Sequence, residues 1–242
     1  MVDEKVPKSC QNLFSISLSF VNKNHQLISN LAHQHFITMI KTITIIILTI
    51  ISPAFLIQKA GEKKENQKAK NPIVIMKTML GNITLELYPK NAPITVANFE
   101  RYIQENRFTG ASFYRTVTLK NQSHNKVKIQ VIQGGLDKDH DPRMHSPIPL
   151  ETTKETGLHH LNGTISMARD KPNTATSEFF ICIGDQPSLD YGGKRNPDGQ
   201  GFAAFGKVIK GMDVVRKIQK QPAVGQGLKP HIKITKMILK LP

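Results

Sequence analysis

From residue 72 onward, apolar and polar positions alternate in short runs that are separated by turn signals. The run IVIMKTMLGNITLELYP predicts a β-hairpin that turns at Gly81-Asn82, because apolar residues alternate with polar ones around it. Comparable runs predict five further strands and a closing strand, at residues 112–117, 128–133, 164–167, 178–183, 203–208 and 231–241.

Two segments have helical periodicity instead. Asn91 and Pro93 form a helix start, and Val96 and Phe99 begin one apolar face behind it. Residues 212–218 have a second short amphipathic pattern. Many short strands with two helices predict a mainly β protein, built as a closed or nearly closed antiparallel barrel.

The N-terminal part of the chain has a different pattern. Residues 1–38 show no sustained periodicity, and Lys41 then precedes an apolar stretch at 42–57. A positive residue before such a stretch is typical of an export signal or of a short membrane anchor, and both alternatives place the protein outside the cytoplasm, for example in a periplasm. Met1 and Met39 are both candidate start residues. The predicted organisation is a leader over 1–38, a signal or anchor over 39–57, a charged linker over 58–71 and a globular domain over 72–242.

Composition narrows the classes of function. The net charge of +15 is spread along the chain, without a long block of like charges or a nucleic-acid-binding motif, so we expect no nucleic-acid partner. Cys182 lies in the apolar run FFICIG, which indicates a buried small side chain. The adjacent residues His159 and His160 lack the spacing of metal ligands, and we expect both to be structural.

Arg115 is the residue that the barrel pattern alone does not explain. It lies two residues after Phe113 and two before Val117, so regular alternation places it on their face, where an unpaired guanidinium is costly. The guanidinium of Arg115 therefore either reaches a solvent-exposed edge of the barrel or is held at a functional site. A polar insert at 118–130 separates it from Gln133 and the two glycines that follow.

Three segments, in order, resemble the cyclophilin-type peptidyl-prolyl isomerases: FYR…VIQGG, GTISMARDKPNTATSEFFICIGDQPSLD and GFAAFGKVIKGMDVV. The resemblance extends over residues 73–241 and includes LELYPKNAPITVANF, which is similar to the family's first helix. It implies an eight-stranded antiparallel β barrel capped by two α-helices. It also implies isomerisation of X-Pro bonds in proline-containing polypeptides, without metal or cofactor. We expect a monomer that assists the folding of exported proteins, with membrane contact through residues 42–57.

The resemblance also assigns residues. Arg115 matches the family's catalytic arginine, and Gln133 matches the glutamine of its Q-G-G motif. Glu178 stands where the family has a glutamine, and we expect its carboxylate to orient Arg115 rather than to draw it away from the substrate. The resemblance implies substrate contacts by Phe180, Val131, Leu189 and Phe202 in the proline pocket and by Ala168, Arg169 and Asp170 along the substrate backbone.

The sequence departs from the family pattern at several positions. Gln130 aligns with a pocket phenylalanine, and Ser188 takes the place of the tryptophan of cyclosporin-sensitive members, so we expect weak cyclosporin binding. These departures leave open an alternative function, a proline-binding module of the same fold with negligible turnover. A nucleic-acid-binding barrel is a third alternative that rests on charge alone.

Overall fold

A computed structural model describes the chain over residues 34, 37–41, 70–136 and 141–242. Residues 34 and 37–41 are helical, and Ala69–Pro242 forms a compact unit. The predicted signal or anchor at 42–57 lies outside the described residues. No helix within the described ranges is long and apolar enough to cross a membrane.

The strands of the unit Ala69–Pro242 form a closed antiparallel barrel. Nine strands are present in the described residues, in the sheet order β1-β2-β7-β5-β6-β4-β3-β9-β8, and an additional pairing of β1 with β9 closes the sheet. β8 is a two-residue strand that pairs with the beginning of β9, so eight strands form the barrel wall, as the resemblance implied. The strands are β1 (Ile73–Thr78), β2 (Gly81–Leu87), β3 (Ser112–Val117), β4 (Val131–Gly135), β5 (Thr164–Met167), β6 (Phe179–Cys182), β7 (Ala204–Lys210), β8 (Ala223–Val224) and β9 (Gly227–Lys240).

Two amphipathic helices pack against this barrel, and a third helix is only four residues long. They are α1 (Pro93–Gln104), α2 (Thr153–Thr156) and α3 (Met212–Gln219). α1 begins at a proline, whose fixed φ suits the first helical turn. The apolar faces of α1 and α3 are buried in the barrel core, which confirms both predicted helices; the core residues are Val96, Phe99, Tyr102, Ile103, Val214, Val215 and Ile218.

The first hairpin turns two residues earlier than the sequence pattern predicted. Thr78 pairs with Gly81, so the turn residues are Met79 and Leu80. Gly81 is required for a different reason: its φ is +135°, and a Cβ there would lie 2.8 Å from Val214 Cγ2. The glycine therefore allows α3 to approach the barrel closely.

A β-bulge in β3 determines which way Arg115 faces. The register of β3 shifts between Phe113 and Arg115 against both neighbouring strands, β4 and β9. As a result Phe113 packs in the barrel core, whereas Val117 belongs to a second apolar cluster. Regular alternation would have placed all three side chains on one face, and the extra residue of the bulge places Arg115 outside the core.

Strands β4 and β6 likewise have two buried faces. Ile132 and Ile181 point into the core, whereas Val131 and Phe180 point into the second cluster. This second cluster lies beside the core and consists of Val117, Ile129, Val131, Phe180, Cys182 and Leu189, with Ala168 and Phe202 packed against it. Cys182 is fully buried there, as predicted.

Candidate active site

A cavity of about 930 Å³ lies over the second apolar cluster. Every residue that the sequence assigned to catalysis or to substrate binding contributes to its lining: Arg115, Gln133, Glu178, Phe180, Val131, Leu189, Phe202, Ala168, Arg169 and Asp170. The bulge in β3, the outward faces of β4 and β6, and the loops after β5 and β6 bring these residues together. The cavity thus has an apolar floor and a polar edge that contains a guanidinium.

The guanidinium of Arg115 is held by two glutamine side chains. Its Nε and Nη2 atoms donate to Oε1 of Gln226 at 2.9 and 2.6 Å, and its Nη1 donates to Oε1 of Gln133 at 2.8 Å. Burial lowers the pKa of Arg115, and the nearby Tyr114 and Glu178 oppose that shift. An arginine keeps its charge under such a shift, so the site holds a fixed cation.

Gln133 connects Arg115 to Glu178. Its Nε2 donates to Oε2 of Glu178 at 3.0 Å and to the hydroxyl of Tyr114 at 2.7 Å. Because a carboxylate only accepts, these contacts fix the amide so that its oxygen faces the guanidinium. Glu178 is therefore linked to Arg115 through Gln133.

Two aromatic rings form part of the cavity floor, and a buried histidine packs against them. Phe180 stacks on His160 at 5.8 Å between ring centroids and meets Phe202 edge-on at 5.3 Å. Nδ1 of His160 lies 2.6 Å from Oδ1 of Asp190, and its Nε2 lies 2.9 Å from Oγ of Ser166. Because the carboxylate of Asp190 only accepts, Nδ1 of His160 carries a proton and donates to it.

Comparison with known proteins identifies the family. The family model described as "Cyclophilin type peptidyl-prolyl cis-trans isomerase/CLD" matches residues 73–239. The chain belongs to this family. A peptidyl-prolyl cis-trans isomerase of Acinetobacter baylyi is 37% identical over 163 residues, which cover 67% of this chain and 79% of that protein. Peptidyl-prolyl cis-trans isomerase A of Dickeya dadantii is 34% identical over 177 residues, 73% of this chain and 80% of that protein.

Solved structures show the same fold. A cyclophilin-type peptidyl-prolyl cis-trans isomerase of Cryptosporidium parvum has a TM-score of 0.55 and 21% identity, and the match covers 71% of this chain and 98% of that one. A second structure of that protein, determined in the presence of the dipeptide Ala-Pro, has a TM-score of 0.56 and covers 70% of this chain. The family model and the two bacterial relatives identify the enzyme as a peptidyl-prolyl cis-trans isomerase, and the solved structures show its cyclophilin barrel.

Within this cyclophilin, the segment after β5 has two structural roles besides lining the cavity. The amide of Ala168 donates to the carbonyl of Glu178 at 2.9 Å. The Arg169 side chain is buried, pairs with Asp198 at 2.8 Å and lies over the ring of Phe202 at 5.2 Å. Arg169 therefore holds the loop over residues 190–201 against the cavity wall.

The insert folds into a loop that supplies part of the wall. Gln122 is buried at its centre, where Nε2 donates to the carbonyls of Thr118 and Ile129, each at 2.7 Å. Ile129 lines the cavity, and the backbone amide of its neighbour Gln130 donates to Gln186. β4 consequently begins at Val131, three residues later than predicted. The two residues before it, Ile129 and Gln130, bond instead to Gln122 and to Gln186, which lies in the loop after β6.

Several functional candidates were not found from the sequence. Gln226 and Tyr114 hold the polar edge of the site, and Ile129 and Arg195 line the cavity. His160 lies behind Phe180. The only available signal was the pair His159-His160, and its spacing excluded a metal site without indicating that both rings bond to Asp190.

Proposed function

We propose that the apolar floor of this cavity holds the proline ring of an extended polypeptide while Arg115 promotes rotation about the preceding peptide bond. The observation that carries this proposal is the guanidinium of Arg115, which two glutamines fix at the edge of the floor. Phe180, Val131 and Leu189 are buried, apolar and adjacent, as a pocket for a pyrrolidine ring requires. The dipeptide present with the Cryptosporidium relative belongs to the same class of substrate.

The physical chemistry of the reaction explains why an arginine is needed. Amide resonance sets a barrier of about 18–20 kcal/mol, so uncatalysed exchange takes tens to hundreds of seconds. When the bond twists, the prolyl nitrogen gains a lone pair and the carbonyl loses resonance. Donors of Arg115 that meet the twisted amide more favourably than the planar one lower the barrier. No nucleophile is required.

The other polar residues have supporting roles. Gln133 hydrogen-bonds the substrate backbone and orients Arg115, and Glu178 acts as a positioning residue through Gln133. The backbone of Ala168, Arg169 and Asp170 pairs with the substrate chain, and Phe202 closes the pocket. The positions of these residues around the cavity support these proposed roles.

We further propose that the enzyme acts as a monomer on exported polypeptides. Support comes from residues 42–57, whose composition is typical of an export signal or membrane anchor. N-terminal sequencing of the protein from cell fractions distinguishes a cleaved signal from a retained anchor. A protein that begins at Met1 and fractionates with cytoplasmic markers would contradict this location.

Proline-limited refolding of a model protein tests the catalytic assignment. We expect the wild-type chain to accelerate the slow phase and Arg115→Ala to lose most of that acceleration. Arg216→Ala, which removes an exposed arginine of α3, is the matched control. If wild type binds proline peptides without accelerating their exchange, the chain is a binding module; if Arg115→Ala is fully active, the role of Arg115 is wrong.

A further inference from the structure

Arg195 lines the cavity together with Arg115 and Arg169, and it is held between two loops. Its backbone amide donates to the carbonyl of Ser188 at 3.1 Å. Its Nη1 donates to the carbonyl of Val127 at 2.7 Å and to Oε1 of Gln122 at 3.1 Å. The guanidinium therefore has a defined position where the insert meets the loop over residues 190–201, and it lines the same cavity as Arg115.

The charge of Arg195 has no ion-pair partner among the described residues, unlike that of Arg169, which pairs with Asp198. Nη1 is also the only nitrogen of its guanidinium that forms a hydrogen bond within those residues. Nε and Nη2 together form one edge of the planar fork, which matches the two oxygens of a carboxylate or phosphate.

The surroundings of Arg195 favour an anion. Burial and the positive charge of Arg115 both lower the pKa of Arg195, so an anion placed between the two cations relieves their repulsion. Three carboxylates line the cavity: Asp141 pairs with Arg143 at 2.6 Å, Glu178 accepts from Gln133, and Asp170 forms no ion pair with Arg195 in the described part of the chain. A substrate anion is therefore the ligand that the site best accommodates.

We propose that Arg195 binds an anionic side chain of the substrate within two residues of its proline, and so makes the isomerase prefer acidic sequences. The inference rests on the proposed function, because it assumes that the proline lies in this cavity. The competing interpretation is that Arg195 only ties the insert to the neighbouring loop through Val127 and Gln122. That interpretation predicts equal effects on all substrates.

Matched peptides separate these two interpretations. Exchange rates are measured by magnetisation-transfer NMR for the peptides acetyl-Ala-Xaa-Pro-Phe-amide, in which Xaa is Glu, Gln or phosphoserine. In a second series of peptides, Xaa follows the phenylalanine and is therefore the second residue after the proline. We expect wild type to favour the acidic peptide over its Gln counterpart in at least one series by about threefold to tenfold in kcat/KM, and the preference to shrink at high salt. The phosphoserine peptide distinguishes phosphate from carboxylate as the preferred anion.

Variants assign the preference to one side chain. Arg195→Gln is expected to bring the ratio of acidic to neutral kcat/KM close to one, and Arg195→Lys to retain part of it. Lys194→Gln, which removes the adjacent exposed cation outside the cavity lining, is expected to leave the ratio unchanged. The proposal is overturned if wild type has the same kcat/KM for acidic and neutral peptides. It is also overturned if Arg195→Gln lowers kcat/KM for all peptides by the same factor. The neutral peptide compared between wild type and Arg115→Ala tests the proposed function separately.

Discussion

Replacement of Gln226 by alanine tests whether the position of Arg115, and not only its charge, determines the rate. Gln226 accepts two of the three side-chain hydrogen bonds described for this guanidinium, and its own Nε2 donates to the carbonyl of Asn121 at 3.1 Å. In Gln226→Ala, Gln133 is the remaining glutamine that holds the arginine. The guanidinium is then free to adopt orientations that no longer meet the twisted amide.

The magnitude follows from the hydrogen bonds that are lost. Hydrogen bonds to charged groups contribute about 1.5–3 kcal/mol, with water partly replacing them at an open site. If the alanine variant loses one such contribution from the transition state, kcat falls by about tenfold to hundredfold. KM is expected to change much less, because the apolar floor that binds the proline ring is untouched.

Magnetisation-transfer NMR on a neutral Ala-Pro peptide measures kcat and KM, and urea unfolding verifies that the variant is folded. Gln221→Ala is the matched control, because Gln221 bonds to the carbonyl of Lys217 on α3 and lies outside the cavity lining. In the double variant with Arg115→Ala, we expect no further loss, since Gln226 acts through the arginine. A folded Gln226→Ala enzyme with kcat within twofold of wild type refutes this reasoning.

Three further predictions concern other parts of the site. Glu178→Ala is expected to lower kcat by about threefold to tenfold in the same NMR assay, through loss of its hydrogen bond with Gln133; an unchanged kcat contradicts the positioning role. Cyclosporin is expected to inhibit wild type only above micromolar concentrations, and Ser188→Trp to strengthen inhibition in a titration; submicromolar inhibition of wild type overturns this expectation. Burial tends to raise the pKa of Asp190, but hydrogen bonds from His160 and His159 outweigh it and lower that pKa. Its stabilising contribution is therefore complete above the ordinary carboxyl pKa of about 4 and is lost at lower pH, so urea midpoints should fall less on acidification in Asp190→Asn.

Local patterns predicted the strands well, because a strand needs only a short run of suitable residues. The predicted ranges 112–117 and 164–167 coincide with β3 and β5. The motif residues Arg115 and Gln133 could also be found, since each lies in a short run with a recognisable family pattern. They are directly paired across β3 and β4, although 18 positions separate them in the chain.

Contacts that depend on barrel closure could not be predicted in the same way. Gln226 lies 111 positions after Arg115 and reaches it because β3 pairs with β9. The bulge between Phe113 and Arg115 is equally invisible to a period-two pattern, which places both side chains on one face. The sequence therefore identified Arg115 and Gln133, but not Gln226, the second glutamine that holds the arginine.

The insert at 118–130 shows how a departure from a family pattern acts on a site without supplying its main catalytic group. Its buried Gln122 fixes the loop from within, which places Ile129 in the cavity wall beside Gln130, the position aligned with the family's phenylalanine. The same glutamine and Val127 hold Arg195 at the rim. The insert also supports the polar edge, because the carbonyl of Asn121 accepts from Gln226, but it leaves the bonds of Arg115 to Gln133 and Gln226 in place. We therefore expect the insert to change which substrates bind more than how the prolyl bond is rotated.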